Sequence, residues 1–144
     1  MSFSIDANIL LYASNSQSPH HLAAHHFLGA CASGREVVYL AWPTAMAYLR
    51  IATHPSIFAA PLRHAEALAN LRSLLARPNV RMIGEKPDFL DLYAEVTGEV
   101  PVRGNLIPDA HLATLLLQNG IRTLYTNDVD FRRFDFLDPR NPLV

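Results

Sequence analysis

The chain has 144 residues, half of them hydrophobic and 17% charged, with a formal net charge of −1. That length suits one core, and so little charge excludes a disordered or polyelectrolyte chain. A lone cysteine, Cys31, excludes an internal disulfide, the start Met1-Ser2-Phe3-Ser4-Ile5-Asp6 lacks the basic opening of a signal peptide, and no apolar run reaches the ~18 residues of a membrane span. The expectation is one soluble, cytoplasmic domain over residues 1–144, with no membrane partner.

Ser2–Ile5 is a strand candidate that ends at Asp6. Ala7–Ser14 and Pro19–Ala32 read as helices, the second with apolar or small residues at Leu22, Ala23, Phe27, Leu28 and Cys31 and a stop at Gly34. Val37–Leu40 is a continuous β-prone run, as in a strand buried on both faces of a parallel sheet. Pro43 and Thr44 open a helix that ends near His54-Pro55. A loop follows, and Arg63–Leu75 is amphipathic through Ala67, Leu68, Leu71, Leu74 and Leu75. Val80–Ile83 reads as a weak strand, Phe89–Val96 as a helix and Gly98–Pro108 as a loop. Asp109–Gln118 is the clearest helix, with Leu112, Ala113, Leu115 and Leu116 on its apolar side and Gly120 as its stop. Thr123–Tyr125 is a strand, Asp128–Arg133 a short turn or helix, and Phe136-Leu137 a last strand candidate. Alternating strands and helices predict an α/β fold, a three-layer α/β/α sandwich around a mainly parallel sheet.

Such sheets place ligands at the carboxyl ends of their strands, which makes the positions of the aspartates informative. Asp6 ends the first strand, Asp128 and Asp130 follow the strand at Thr123–Tyr125, and Asp109 opens a helix. If the first and fourth strands are neighbours, these carboxylates converge on one edge. Carboxylate oxygens are hard ligands suited to magnesium or manganese, which lower the pKa of a bound water and offset charge on a phosphodiester. Any single aspartate at such a position can equally be a cap, and Asp109 sits where a cap would sit.

Charge is unevenly spread. Residues 35–86 hold seven basic and three acidic side chains, whereas 87–144 hold five and nine. Eleven of the twelve basic residues are arginine, the type suited to forked phosphate contacts. A basic middle facing an acidic end, which allows phosphate and metal partners in one small protein, is the functional reading. Ordinary surface variation is the other.

Four words carry a resemblance: Ser4-Ile5-Asp6-Ala7-Asn8-Ile9-Leu10-Leu11-Tyr12-Ala13, Leu49-Arg50-Ile51-Ala52-Thr53-His54-Pro55, Ile107-Pro108-Asp109-Ala110-His111-Leu112-Ala113 and Thr126-Asn127-Asp128-Val129-Asp130-Phe131. In this order they resemble the PIN-domain ribonucleases, in particular the VapC toxins of bacterial toxin–antitoxin pairs. The resemblance implies a metal-dependent endoribonuclease, a homodimer and a cognate antitoxin that blocks the site. By it, Asp6, Asp109 and Asp128 are metal ligands or catalytic acids for Mg²⁺ (or Mn²⁺), and Asp130 is an auxiliary acid. Asn8 and Thr126 are polar supports, and Arg50 either touches RNA or pairs with an acid. One departure stands out: the family's glutamate two positions before Leu49-Arg50 is here Ala47, and no acid lies between Val37 and Arg63.

Two rivals stay open, an RNA-binding protein that keeps the fold with weak or lost catalysis, and a small-molecule phosphohydrolase. The second lacks its signature, because position 8 is Asn where an aspartate nucleophile pattern needs a second Asp. His21 and His25, four apart, have zinc-like spacing but no third ligand, so a solvated face is expected there. His111 is expected to make a packing contact or surface hydrogen bond, and Cys31 to be buried.

Overall fold

A computed structural model describes residues 1–144. Its strands are β1 (Ser2–Ile5), β2 (Val37–Ala41), β3 (Val80–Ile83), β4 (Thr123–Tyr125) and β5 (Asp138–Arg140). They form one sheet in the order β3-β2-β1-β4-β5, and every neighbouring pair is parallel. The helices are α1 (Ala7–Ser14), α2 (His21–Ser33), α3 (Trp42–Ala52), α4 (His64–Leu75), α5 (Phe89–Glu99) and α6 (Leu106–Gln118), with a 3₁₀ turn over Val129–Arg133. This is the α/β architecture that the alternation predicts.

Side chains alternate across a strand, so the sheet separates two cores. Phe3, Ile5, Val38 and Leu40 join buried residues of α1–α4 in one cluster. Ala41 and Leu124 join Val96 of α5, Leu112, Leu115 and Leu116 of α6, and Phe131, Phe134 and Leu137 in the other. Burying each α6 leucine stabilises by roughly 1.5–3 kcal/mol. That offsets the repulsion α6 creates by carrying Asp109 towards other acids.

The central position of β1 matters most. Ser4 pairs with Leu124 and Ile5 with Tyr125, and the Asp6 N–H donates to the Tyr125 carbonyl at 2.9 Å. Asp6 and Thr126 therefore leave the sheet side by side at its carboxyl edge.

Several boundaries differ from expectation. α6 begins at Leu106, so the preceding loop is shorter and Asp109 is not a cap but the fourth residue of the helix. Pro108 is tolerated there because the first four N–H groups of a helix have no intrahelical partner. Gly120 stops α6 as predicted, with φ +72, and the Ile121 N–H closes on the Leu116 carbonyl at 2.9 Å. The last strand is Asp138–Arg140 rather than Phe136-Leu137, because Leu137 is drawn into the core. Pro139 is acceptable in β5, which lies at the sheet's edge. On α2 the inward residues are Ala24, Phe27, Leu28 and Cys31, while Leu22 is 70% exposed.

Candidate active site

Asp6 is the N-cap of α1. Its Oδ1 accepts from the Ala7 N–H at 2.8 Å, and its Oδ2 accepts from the Thr126 hydroxyl at 2.8 Å. The same hydroxyl oxygen accepts from the Asp128 N–H at 3.0 Å and from Asn8 Nδ2 at 3.4 Å. One buried threonine thus ties the end of β1 to the turn after β4. Asp128 then caps the 3₁₀ turn, its Oδ1 accepting from the Asp130 N–H at 2.9 Å. That local bond folds Asp130 back towards Asp128.

Oxygens of Asp109, Asp128 and Asp130 lie within 4.8 Å of one another, and all three residues are half-buried. Asp6 is not part of that group, and both its oxygens are engaged with Ala7 and Thr126. Each oxygen keeps a free lone pair, so Asp6 remains able to ligate. Its charge also reaches the group. Burial first, then Asp128, Asp6 and Asp130 push the Asp109 carboxyl up to about 6. Burial also raises Asp6, against the Thr126 and Ala7 hydrogen bonds that lower it, with Asp128 adding to the rise. Like charges held this close strain the fold until a cation joins them.

The donor set suits a hard divalent ion, being all oxygen and acidic. A second observation agrees: Asn8 Oδ1 is buried with no hydrogen-bond partner. A buried acceptor left open costs roughly 1–3 kcal/mol.

Other expectations fall elsewhere. Arg50 is exposed with no acid within 4.0 Å, so it does not brace the fold through an ion pair. Ala47 is half-buried on α3 and offers no ligand. His21 and His25 stack with ring centroids 6.0 Å apart and recruit no third ligand; His21 Nδ1 instead meets the Tyr12 carbonyl at 3.1 Å. His111 Nε2 bonds Glu85 Oε1 at 2.6 Å, the surface contact expected of it. Cys31 is half-buried, and burial pushes its thiol up to about 12, so it is inert. Sequence spacing carries no signal for a further chain of bonds, from Asn141 Nδ2 to Asn127 Oδ1 at 2.8 Å and from Asn127 Nδ2 to the Tyr12 hydroxyl at 3.2 Å.

Residues 4–137 match the PIN domain. The chain belongs to the PIN-domain family. PIN-domain nucleases use divalent metal ions, and the acidic group of this PIN domain is of that kind. It is 40% identical to Ribonuclease VapC48 of Mycobacterium tuberculosis over 142 residues, which cover 99% of this chain and 98% of that protein. It is 34% identical to Ribonuclease VapC37 of the same organism, over 91% of this chain and 90% of the relative. Among solved structures, VapBC2 of Rickettsia felis, bound to a DNA fragment from its promoter, superposes with a TM-score of 0.70 at 20% identity, covering 98% of each chain. VapC20 of Mycobacterium tuberculosis, a toxin that cleaves the sarcin–ricin loop, gives 0.67 at 19% identity, over 90% of this chain and 92% of that one. These structures share the PIN fold.

Proposed function

We propose that the chain is a divalent-metal-dependent endoribonuclease that hydrolyses RNA phosphodiester bonds and acts as the toxin of a toxin–antitoxin pair. The observation that carries this reading is the convergence of Asp109, Asp128 and Asp130 at the carboxyl edge of a PIN-type sheet. Residues 1–144 act as one PIN-like domain. Mg²⁺ is the physiological ion and Mn²⁺ replaces it. Asp109 and Asp128 hold the ion, Asp6 contributes charge and a free lone pair, and Asp130 assists from the rim. When bound, the ion lowers the pKa of a water and offsets charge on the phosphodiester.

The chain's own residues do the positioning. Thr126 holds Asp6 and the Asp128 backbone in one geometry, and Asn8 Nδ2 donates to the Thr126 hydroxyl oxygen. Partners are an RNA, an antitoxin that presents a cation to the acidic group, and a second copy of the chain. Apolar surface is available for the protein partners: Trp42 and Met46, one turn apart on α3, are 53% and 57% exposed. A cytoplasmic location is part of the same proposal; no helix is long and apolar enough to cross a membrane.

The test is incubation of the purified chain with total RNA and Mn²⁺, mapping the new ends, with light scattering to count copies. Discrete cuts that vanish on chelation are expected. Ala47 favours a second reading, a PIN-fold protein that binds RNA with weak or no catalysis, and binding without cuts would support it. RNA neither bound nor cut would overturn both.

Ala47 also sets a prediction of its own. Magnesium prefers six oxygens and sheds water reluctantly, so a site lacking the family's glutamate holds it weakly. Ala47→Glu should tighten Mn²⁺ binding, measured by calorimetry without RNA, by about tenfold or more. An unchanged affinity would mean that residue 47 does not face the cleft.

A further inference from the structure

The carboxyl edge holds a small polar cleft that shares Asp128 with the acidic group and extends away from it. Thr126, Asn127, Asp128, Arg132, Arg140 and Asn141 line it. Its walls are fixed by the Tyr12–Asn127–Asn141 bonds described above and by the strand ladder, in which the Thr126 N–H donates to the Arg140 carbonyl at 2.9 Å. Arg140 therefore sits one hydrogen-bonded rung from the threonine that holds Asp6. Its guanidinium is oriented by Asp138, with Nε at 3.0 Å and Nη2 at 2.7 Å from the same oxygen, Oδ2. That ion pair is exposed, and such pairs are weak, so the guanidinium remains available to a stronger anion. Arg132 is exposed and has no acid within 4.0 Å.

Position in the sheet separates these two arginines from others. Arg35, Arg77 and Arg122 precede β2, β3 and β4, so in an all-parallel sheet they lie at the amino edge. Arg132 and Arg140 lie at or beyond the ends of β4 and β5, beside the acids.

We propose that Arg132 and Arg140 bind a backbone phosphate of the RNA next to the one being cut, and so set the direction in which the strand crosses the acidic group. This rests on the ribonuclease reading. Two arginines lining one small polar cleft, Arg132 unpaired and Arg140 held by an exposed ion pair, suit a phosphate by charge and donor chemistry. Asp128, on the cleft wall, opposes an anion until a cation neutralises it. RNA and metal binding therefore reinforce each other across Asp128. Both arginines are positioning residues, and neither touches the reacting atoms.

The experiment uses the full chain with Mn²⁺ and a single-stranded oligonucleotide spanning a bond cut in the total-RNA test. Rates are measured across a KCl series. Arg132→Ala should raise KM about tenfold and change kcat little, because a charge-assisted contact made equally in ground and transition states is lost. The slope of log(kcat/KM) against log[KCl] should become shallower by about 0.7, the value for one phosphate contact to a single strand. Arg140→Ala should do the same, and Arg122→Ala, at the amino edge, should match wild type. If Arg140→Ala also lowers Tm, Arg132→Ala decides alone, since its side chain has no partner to lose. Wild-type KM and slope in Arg132→Ala would overturn the phosphate site and leave the ribonuclease reading standing. A fall in kcat alone would also overturn it. A wild-type chain that cuts no RNA removes both.

Discussion

Asp109→Asn should lower RNA cleavage by on the order of 10²–10³-fold, the scale for losing one group that organises charge around a transition state, yet the metal-free variant should melt above wild type. The second half follows from the raised Asp109 carboxyl, about 6 in the fold against 3.8 without it. Between those values the native state holds a proton that the unfolded chain has released, so wild-type stability falls as pH rises through that window. Above about 6 both states are ionised and the penalty is complete. The advantage of the Asn variant is therefore full at pH 7 and shrinks as pH falls towards 4. Asp109 is half-exposed, so screening by water limits the gain to about 1 kcal/mol, or roughly 3 °C in Tm. Saturating Mn²⁺ should reverse the order, because it binds only the native wild-type site tightly. Melting curves at pH 7 and pH 4.5, with and without Mn²⁺, check each sign. An Asn variant that melts below wild type without metal would contradict the account.

Thr126→Val should damage stability and activity together. Valine keeps the shape but removes a hydroxyl that donates to Asp6 and accepts from the Asp128 N–H and Asn8. Thr126 is 3% exposed, so water cannot readily take its place. Asp6 Oδ2 and the Asp128 N–H, left without partners while Oδ1 keeps the Ala7 N–H, cost about 2–3 kcal/mol, or roughly 6–10 °C in Tm. Cleavage should fall about 10–100-fold, the usual effect of removing a group that orients ligands. Thr126→Ser keeps the hydroxyl and should recover most of the activity. If Val and Ser variants cleave equally, the hydroxyl does not organise the site.

Much of the fold is legible in the chain because its signals are local. β1, β3 and β4 each end where their β-prone run ends, and Gly120 stops α6 through its left-handed backbone. Errors arise where tertiary packing decides. Phe136-Leu137 looks like a strand, yet Leu137 serves the core and the weakly β-prone Asp138-Pro139-Arg140 pairs with β4. The aspartates are readable because strand ends in a parallel sheet share one edge. Which of them lie closest is not readable: the Asp128–Asp130 bond pulls Asp130 into the group, while Thr126 and Ala7 occupy Asp6. Charge balance misleads for a related reason. Arg35 and Arg77 belong to the basic middle but precede their strands, so topology carries them to the edge opposite the acids.

The hydrogen bond between Asp6 and Thr126 joins residues 120 positions apart. Proteins are made from the amino end at about 5–20 residues per second, so β1 and Asp6 emerge many seconds before their partner. Until β4 docks beside β1, Asp6 has no hydroxyl to hold it and Asp109 has no Asp128 to face. The proposed acidic centre is therefore among the last features of the molecule to exist. A nascent or truncated chain lacking the final twenty or so residues has no Thr126, Asp128 or Asp130 to complete the acidic edge, and the interval before β4 arrives is time in which an antitoxin can be waiting.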